Sequence, residues 1–303
     1  MIQIYGKVIL VIILCLGMLT IPVSTGFSRQ PVILSAHQGT KTADVSRIPR
    51  GLVLRSAAAL VEDQQTGELL IHKKAAAIMP IASITKLMTA MVMLDANRDL
   101  DELITIQSAD IDTLRHSHSR LPLRTQLRRR DVLLIALMAS DNRSAHALGR
   151  TYPGGVHACV AAMNAKARSM GLLETHFVDS SGLSSGNVSS ARDLVRLVDA
   201  AHQYQMIREY TTCRQATIRS GRRLLEFRNT NRLVQNPRWE IGLSKTGYIG
   251  EAGRCLVMQA QVANRPLLIV LLDSQGKLTR LGDANRIKKW LEDNAPELSI
   301  HKG

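Results

Sequence analysis

The stretch PIASITKLMTAMVMLDA, residues 80–96, decides how this chain is read. Leu, Met and Ala are strong helix formers, and apolar residues fall on nearly every face. Residues 84–96 are therefore predicted as a helix buried all round. At its start stands Ser83-Ile-Thr-Lys86. The i, i+3 spacing sets the hydroxyl and the amine on one face, about one turn apart. A serine at a helix N-terminus also has free backbone N–H groups and the positive end of the dipole beside it. Such a pair suits nucleophilic attack, with the lysine as base provided its amine is neutral. By itself the pattern is weak, since roughly one Ser-x-x-Lys is expected by chance in a chain of this length. The chain holds such a decoy, Ser274-Gln-Gly-Lys277, which lies in a turn and opens no apolar helix.

Outward from that helix the chain reads as strands, then helices, then strands. Residues 51–62 are apolar and Ala-rich, Asp63 to Gly67 is a turn signal, and residues 68–72 form a short strand, together a hairpin. Helices are predicted at 131–139, 156–170 and 191–203, with a flexible Gly/Ser-rich loop at 180–190 between the last two. Strands are predicted at 241–250, 254–263 and 266–273, and a closing helix at 283–292. Strands from both ends around a helical middle imply an α+β fold: one antiparallel sheet flanked by helices, with an all-helical lobe inserted. The expected division is a sheet lobe of residues 51–82 and 240–303 and a helical lobe of residues 83–239, making one catalytic domain over 51–303.

Two further motifs bear chemistry. Ser140-Asp-Asn142 follows the 131–139 helix and offers a hydroxyl for proton transfer and an amide for a substrate carbonyl. A second Ser-x-Asn, Ser185-Gly-Asn187, sits in the loop, and a rigid helix end positions side chains better. Asp141 is read as an ordinary helix C-terminus or cap, without a catalytic role. Lys245-Thr246-Gly247 lies in a predicted strand, where a glycine lets a substrate lie against the edge and Lys and Thr can meet a carboxylate. A given tripeptide arises by chance about 0.1 times per chain of this size. All three motifs in this order make coincidence a poor account.

The composition narrows the setting. Of 303 residues, 45% are hydrophobic and 21% charged, which excludes a disordered or collagen-like chain. Aromatics make up only 3%, which speaks against base-stacking on nucleic acid. Lys and Arg number 39 against 25 Asp and Glu, and a net charge of +14 points to a polyanionic neighbourhood. The N-terminus chooses among such neighbourhoods. Lys7 is the only charge before Arg29, residues 8–18 are almost wholly apolar, and Ser24, Thr25 and Gly26 follow Pro22. That is the layout of a secretory signal peptide over residues 1–26, weighed against an uncleaved membrane anchor. Leu14 before Cys15 argues against a lipoprotein signal. Residues 27–50, polar and aperiodic, read as a linker. Export makes a nucleic-acid partner a minor hypothesis.

Other clusters are read plainly. Cys159, Cys213 and Cys255 have no C-x-x-C or His at metal-ligand spacing, so free buried thiols are expected and no metal site. His116 and His118 lack a third ligand. Arg128 to Arg130 read as a solvated face or helix start, with an electrostatic role near anionic wall polymer.

Ser83-x-x-Lys86, Ser140-x-Asn142 and Lys245-Thr246-Gly247 resemble the three motifs of the penicillin-recognising serine peptidases. The likeness to low-molecular-mass D-Ala-D-Ala peptidases extends through PIASITKLMTAMVMLDA, HSHSRLP (116–122), THFVDSSGL (175–183) and FRNTN (227–231), from about Gly51 to Glu292. Within that group, SDNRSAHALGRTYPGG (140–155) is most similar to the soluble periplasmic D-alanyl-D-alanine endopeptidases.

The resemblance implies a DD-peptidase/β-lactamase-like fold. It implies Ser83 as nucleophile and Lys86 as base, its amine kept neutral by burial and by nearby Lys245. Ser140 would relay the proton, Asn142 would hold the substrate carbonyl, Lys245 and Thr246 would receive the terminal carboxylate, and Gly247 would let the substrate lie against the strand. Backbone N–H groups of Ser83 and Tyr248 would form the oxyanion hole. No metal or organic cofactor is implied. The partners implied are peptidoglycan cross-links as substrate and β-lactams as covalent inhibitors, in the periplasm. The expected activity is cleavage of D-Ala to diaminopimelate cross-links, with D-alanyl-D-alanine carboxypeptidase as alternative. A serine β-lactamase is disfavoured because Glu174 is followed four positions on by Val178 instead of Asn, and a non-catalytic envelope-binding protein because Ser83, Lys86 and Lys245 are intact. The 56 residues after Gly247 have room for two strands and a helix, so no stable membrane anchor is expected after signal cleavage.

Overall fold

The computed structural model describes residues 46–294, so the signal-peptide reading, nearly all of the linker and the last nine residues lie outside the described residues. The chain opens with a hairpin of β1 (Ser56–Asp63) and β2 (Leu69–Lys73), then β3 (Met79–Pro80) and a 3-10 turn, Ala82–Ile84, that leads into α1 (Thr85–Asp95). Next come β4 (Leu103–Thr105), β5 (Gln126–Arg128), α2 (Arg129–Met138), α3 (Asn142–Arg150) and α4 (Gly155–Ser169). After β6 (Val188–Ser189) follow α5 (Ala191–His202), α6 (Gln205–Thr212) and the hairpin β7 (Gln215–Ser220) and β8 (Arg223–Arg228). The chain returns as β9 (Glu240–Ile249), β10 (Gly253–Val262), β11 (Arg265–Ser274) and α7 (Thr279–Asp293).

The sheet has the order β2-β1-β11-β10-β9, antiparallel throughout. Its strands read as continuous apolar runs because both faces are covered. Ala58, Leu60, Leu268, Val270 and Leu272 face the core shared with the helices, while Ala59, Val61, Ile269 and Leu271 face Ala284, Ile287 and Leu291 of α7. That alternation is the period of 2 of a pleated strand. Each such Leu or Ile, fully buried, contributes roughly 1.5–3 kcal/mol.

Helix α1 is buried from Thr85 to Met93 and is surrounded by α2, α3, α4, α5 and α6. Within that buried span the polar residues are Lys86 and two threonines. Helix α5 is held at its start by Ser190, whose hydroxyl accepts the Asp193 N–H at 3.1 Å. It packs on β1, β10 and β11, and α6 packs on β9. Both lie inside 83–239, so the sheet layer takes two helices from the span the sequence division gave to the helical lobe. The edge strand β9 also lies against the Ala82–Ile84 turn. That contact is what brings the first and third motifs together.

Candidate active site

Ser83 sits in a turn gripped from two sides. Its predecessor Ala82 holds φ +48°, a left-handed conformation costly for a residue with a Cβ. A Cβ on Gly182 would stand 2.0 Å from the Ala82 carbonyl oxygen, and one on Gly247 2.8 Å from that of Ile81. Glycine at both places lets the 180–190 loop and β9 close on the turn.

Lys86 is one turn further on, buried to 1% exposure. Its Nζ reaches Ser83 Oγ at 2.8 Å, Asn142 Oδ1 at 2.8 Å and the Ser181 carbonyl at 2.6 Å. Burial draws its pKa down from 10.5 to about 8, against the pull of Asp179, Asp141 and Asp112. About a tenth of the amine is then neutral at pH 7. In that state it gives two of its contacts as donor and accepts the Ser83 proton.

The second motif stands in the break between α2 and α3. Ser140 takes φ +57°, turning the chain sharply, and Asp141 caps α3 by accepting the Ser144 N–H at 2.8 Å and hydroxyl at 2.9 Å. The cap reading of Asp141 is what the geometry shows. Asn142 Nδ2 donates to Ser117 Oγ at 2.8 Å, and Ser117 is set by Asp112, whose carboxylate accepts the Leu114, Arg115 and Ser117 N–H groups.

From β9, Lys245 Nζ donates to Ser140 Oγ at 2.8 Å and to the Thr246 carbonyl at 2.9 Å. The Thr246 and Thr230 hydroxyls are bonded at 2.7 Å. Lys245 is held well below the usual lysine value by burial first, then by the charges of Lys86 and Arg280. The expectation that Lys245 keeps Lys86 neutral is thus revised. Burial, the other half of that expectation, is the leading cause for both amines. Tyr248 itself is 57% exposed, its ring under Arg254.

All three motifs therefore meet through hydrogen bonds: Ser83 to Lys86, Lys86 to Asn142, and Ser140 to Lys245. Two participants escaped the sequence reading. Arg280, at the start of α7, is buried with Nε and Nη1 lacking a hydrogen-bond partner, and its charge reaches Lys245. Asp179 gathers the Ser181, Gly182 and Ser184 N–H groups. Burial pushes its carboxyl up, and these hydrogen bonds outweigh that and hold it low. The loop expected to be flexible is pinned by them.

The decoys fall elsewhere. Ser274 Oγ pairs with Ser56 Oγ at 2.7 Å in a network closed by Asp283. Ser185 is exposed, while Asn187 is buried and accepts the Val178 and Asp179 N–H groups. Glu174 accepts the Ser190 hydroxyl. Of the two readings of residues 128–130, the helix start holds, since α2 opens at Arg129. The solvated face fails there: Arg129 is 1% exposed and donates to Glu102 at 2.8 Å and Thr151 at 3.1 Å. The thiols of Cys159, Cys213 and Cys255 are free, with Cys213 only partly buried.

Residues 44–276 match the family model described as D-alanyl-D-alanine carboxypeptidase, peptidase family S11. The chain belongs to this family. S11 relatives include the D-alanyl-D-alanine endopeptidase of Pseudomonas aeruginosa, 46% identical over 247 residues, 81% of this chain and 80% of that one. The D-alanyl-D-alanine endopeptidase of Escherichia coli is 43% identical over 79% of this chain and 78% of its own. Among solved structures, the Streptomyces K15 DD-transpeptidase matches with a TM-score of 0.74 at 27% identity, over 78% of this chain and 97% of that one. The chain is an S11 serine DD-peptidase with the α+β fold of that group.

Proposed function

We propose that this S11 enzyme is a D-alanyl-D-alanine endopeptidase that opens D-Ala to diaminopimelate cross-links in peptidoglycan through an acyl-enzyme on Ser83. The observation that carries this reading is the unbroken hydrogen-bond path from Ser83 through Lys86 and Asn142, with Ser140 on Lys245 at its far side. Neutral Lys86 takes the Ser83 proton as Oγ attacks the D-Ala carbonyl carbon. The oxyanion is met by the backbone N–H groups of Ser83 and Tyr248. Collapse expels the amine of the leaving residue, which receives its proton through Ser140. Lys86 gives up the proton it took as the leaving amine is protonated and is neutral again. Water then attacks the ester, and Lys86 takes its proton and passes it to Ser83 Oγ as the ester C–O bond breaks, releasing the D-Ala carboxylic acid.

Asn142 holds the carbonyl of the donor peptide. Lys245 and Thr246 receive the carboxylate beside the scissile bond, and Gly247 leaves room for it. A carboxylate there favours the charged form of Lys245, and the charge of the buried Arg280 adds to the attraction. Penicillin carries an equivalent carboxylate and acylates the same serine. Support for the endopeptidase over a carboxypeptidase comes from the names of the relatives at 43% and 46% identity. Residues 1–26 act as an export signal, and the enzyme works in the periplasm, where its strongly positive net charge, +14 for the full sequence less Lys7 of the signal, draws it to anionic wall polymer. Among the described residues no helix is long and apolar enough to cross a membrane. The test incubates the purified protein with a cross-linked disaccharide-peptide dimer and, separately, with a pentapeptide monomer. Monomers released from the dimer support the proposal; free D-Ala from the monomer, with the dimer intact, overturns it in favour of a carboxypeptidase.

A further inference from the structure

A cavity of about 240 Å³ opens beside Ser140 and Asn142, with His118, Arg120, Asp141 and Arg228 on its walls. It is strongly basic for its size. Arg120 and Arg228 are both exposed, and neither forms an ion pair with a carboxylate among the described residues. Arg120 is aimed rather than loose: its Nη1 donates to the Glu226 carbonyl at 2.5 Å, which ties the 112–122 segment to β8. Asp141, the acidic group on the wall, has Oδ1 already committed to the N–H and hydroxyl of Ser144. Two guanidinium groups and an imidazole thus face one opening that holds a single carboxylate, one oxygen of which is bound to Ser144.

The position of the opening gives it a role. In the reading above, on which this inference rests, Ser140 passes a proton to the leaving amine, so the leaving group departs along the wall that Ser140 shares with this cavity. A leaving D-alanine carries one carboxylate, and Lys245 with Thr246 receives it. A leaving diaminopimelate residue belongs to a second stem peptide, which carries further carboxylates beyond the one next to the cleaved bond. We propose that Arg228 and Arg120 form a subsite for such a second carboxylate, so that this cavity selects cross-linked stems over single stems. Guanidinium groups match a carboxylate in fork geometry, and at an exposed rim the gain is modest and salt-dependent.

The test compares wild type with Arg228→Gln and Arg228→Lys on three substrates: a cross-linked dimer, the same dimer with the remote carboxylates of the leaving stem amidated, and penicillin. The expected result is that Arg228→Gln lowers the ratio of dimer cleavage to penicillin acylation about five- to tenfold, and that Arg228→Lys recovers part of it. Wild type and Arg228→Gln should cleave the amidated dimer alike. Equal loss on both dimers, or no loss on the free-acid dimer, overturns the subsite while leaving the endopeptidase reading standing. A wild-type protein that trims pentapeptide and leaves every dimer intact overturns that reading, and the subsite with it.

Discussion

Gly247 lies directly against Ile81: a Cβ added to the glycine would stand 2.8 Å from the Ile81 carbonyl oxygen and 3.2 Å from the Ser83 nitrogen. The third motif is therefore a spacer for the first as well as a wall for substrate. Gly247→Ala must push the Ala82–Ile84 turn away from β9, and the turn is backbone that cannot swing aside. A displacement of this kind near a nucleophile costs on the order of 10²-fold in rate. Stopped-flow acylation by a chromogenic penicillin should show that loss, and acylation within threefold of wild type would refute the spacer role.

Lys86 supplies a pH signature. With its pKa drawn down to about 8 by burial, the amine is protonated below that value and neutral above it. Acylation should rise about tenfold per pH unit below pH 8 and level off above it. A rate still climbing towards the ordinary lysine value of 10.5 would show that burial does not set the base. Lys86→Ala should abolish acylation, and Lys86→Arg should not restore it, because a guanidinium does not give up a proton in this range.

The two Ser-x-Asn motifs separate cleanly. Ser140 Oγ is bonded to Lys245 at 2.8 Å, whereas Ser185 is exposed. Ser140→Ala should slow acylation on the order of 10²-fold or more, and Ser185→Ala should leave it nearly unchanged. The reverse pattern in the same assay would move the proton relay to the loop.

Asp179 holds the loop that supplies the Ser181 carbonyl to Lys86. Asp179→Asn should cost about 1–3 kcal/mol at pH 7, seen as a lower Tm. Its folded-state carboxyl is held below the ordinary 3.8, so its contribution is complete above that value and is lost as pH falls below it. The Tm gap between wild type and variant should therefore narrow below about pH 3.8. A gap that widens in acid would assign the loop's order to something else.

Where apolar runs are long, the sequence was legible. β1, β9, β10, β11 and helices α1, α2, α4, α5 and α7 stand within a few residues of their expected places, since burial on two faces leaves little doubt of period or extent. Elements with little apolar content were missed. α3, NRSAHALGR, and α6, QMIREYTT, are short and half polar, and the β7–β8 hairpin is rich in arginine. Signals for two of them existed: Asp141 three residues before Ser144 at a helix start, and the Ser220-Gly221 turn. In the site, Ser83 and Lys86 stand one turn apart as their spacing implied, because spacing within a motif encodes local geometry. Asp179 works locally, on the N–H groups of Ser181, Gly182 and Ser184, in a loop read as flexible for its small residues. Arg280 reaches Lys245 across a long stretch of chain, and nothing local in the sequence marks it as buried. Arg129 shows the same limit in reverse: inside a run of three arginines, only the fold decides which one is buried.

The most direct measurement is the site of covalent labelling. The intact protein is treated with penicillin, digested with trypsin, and the adduct located by mass spectrometry. Cleavage after Lys74 and Lys86 gives a peptide of residues 75–86, in which Ser83 is the one serine. A penicilloyl group on Ser83, absent from Ser83→Ala, is the predicted result. An adduct on Ser140, on Ser185 or elsewhere in the wild-type protein, with residues 75–86 unmodified, would contradict it.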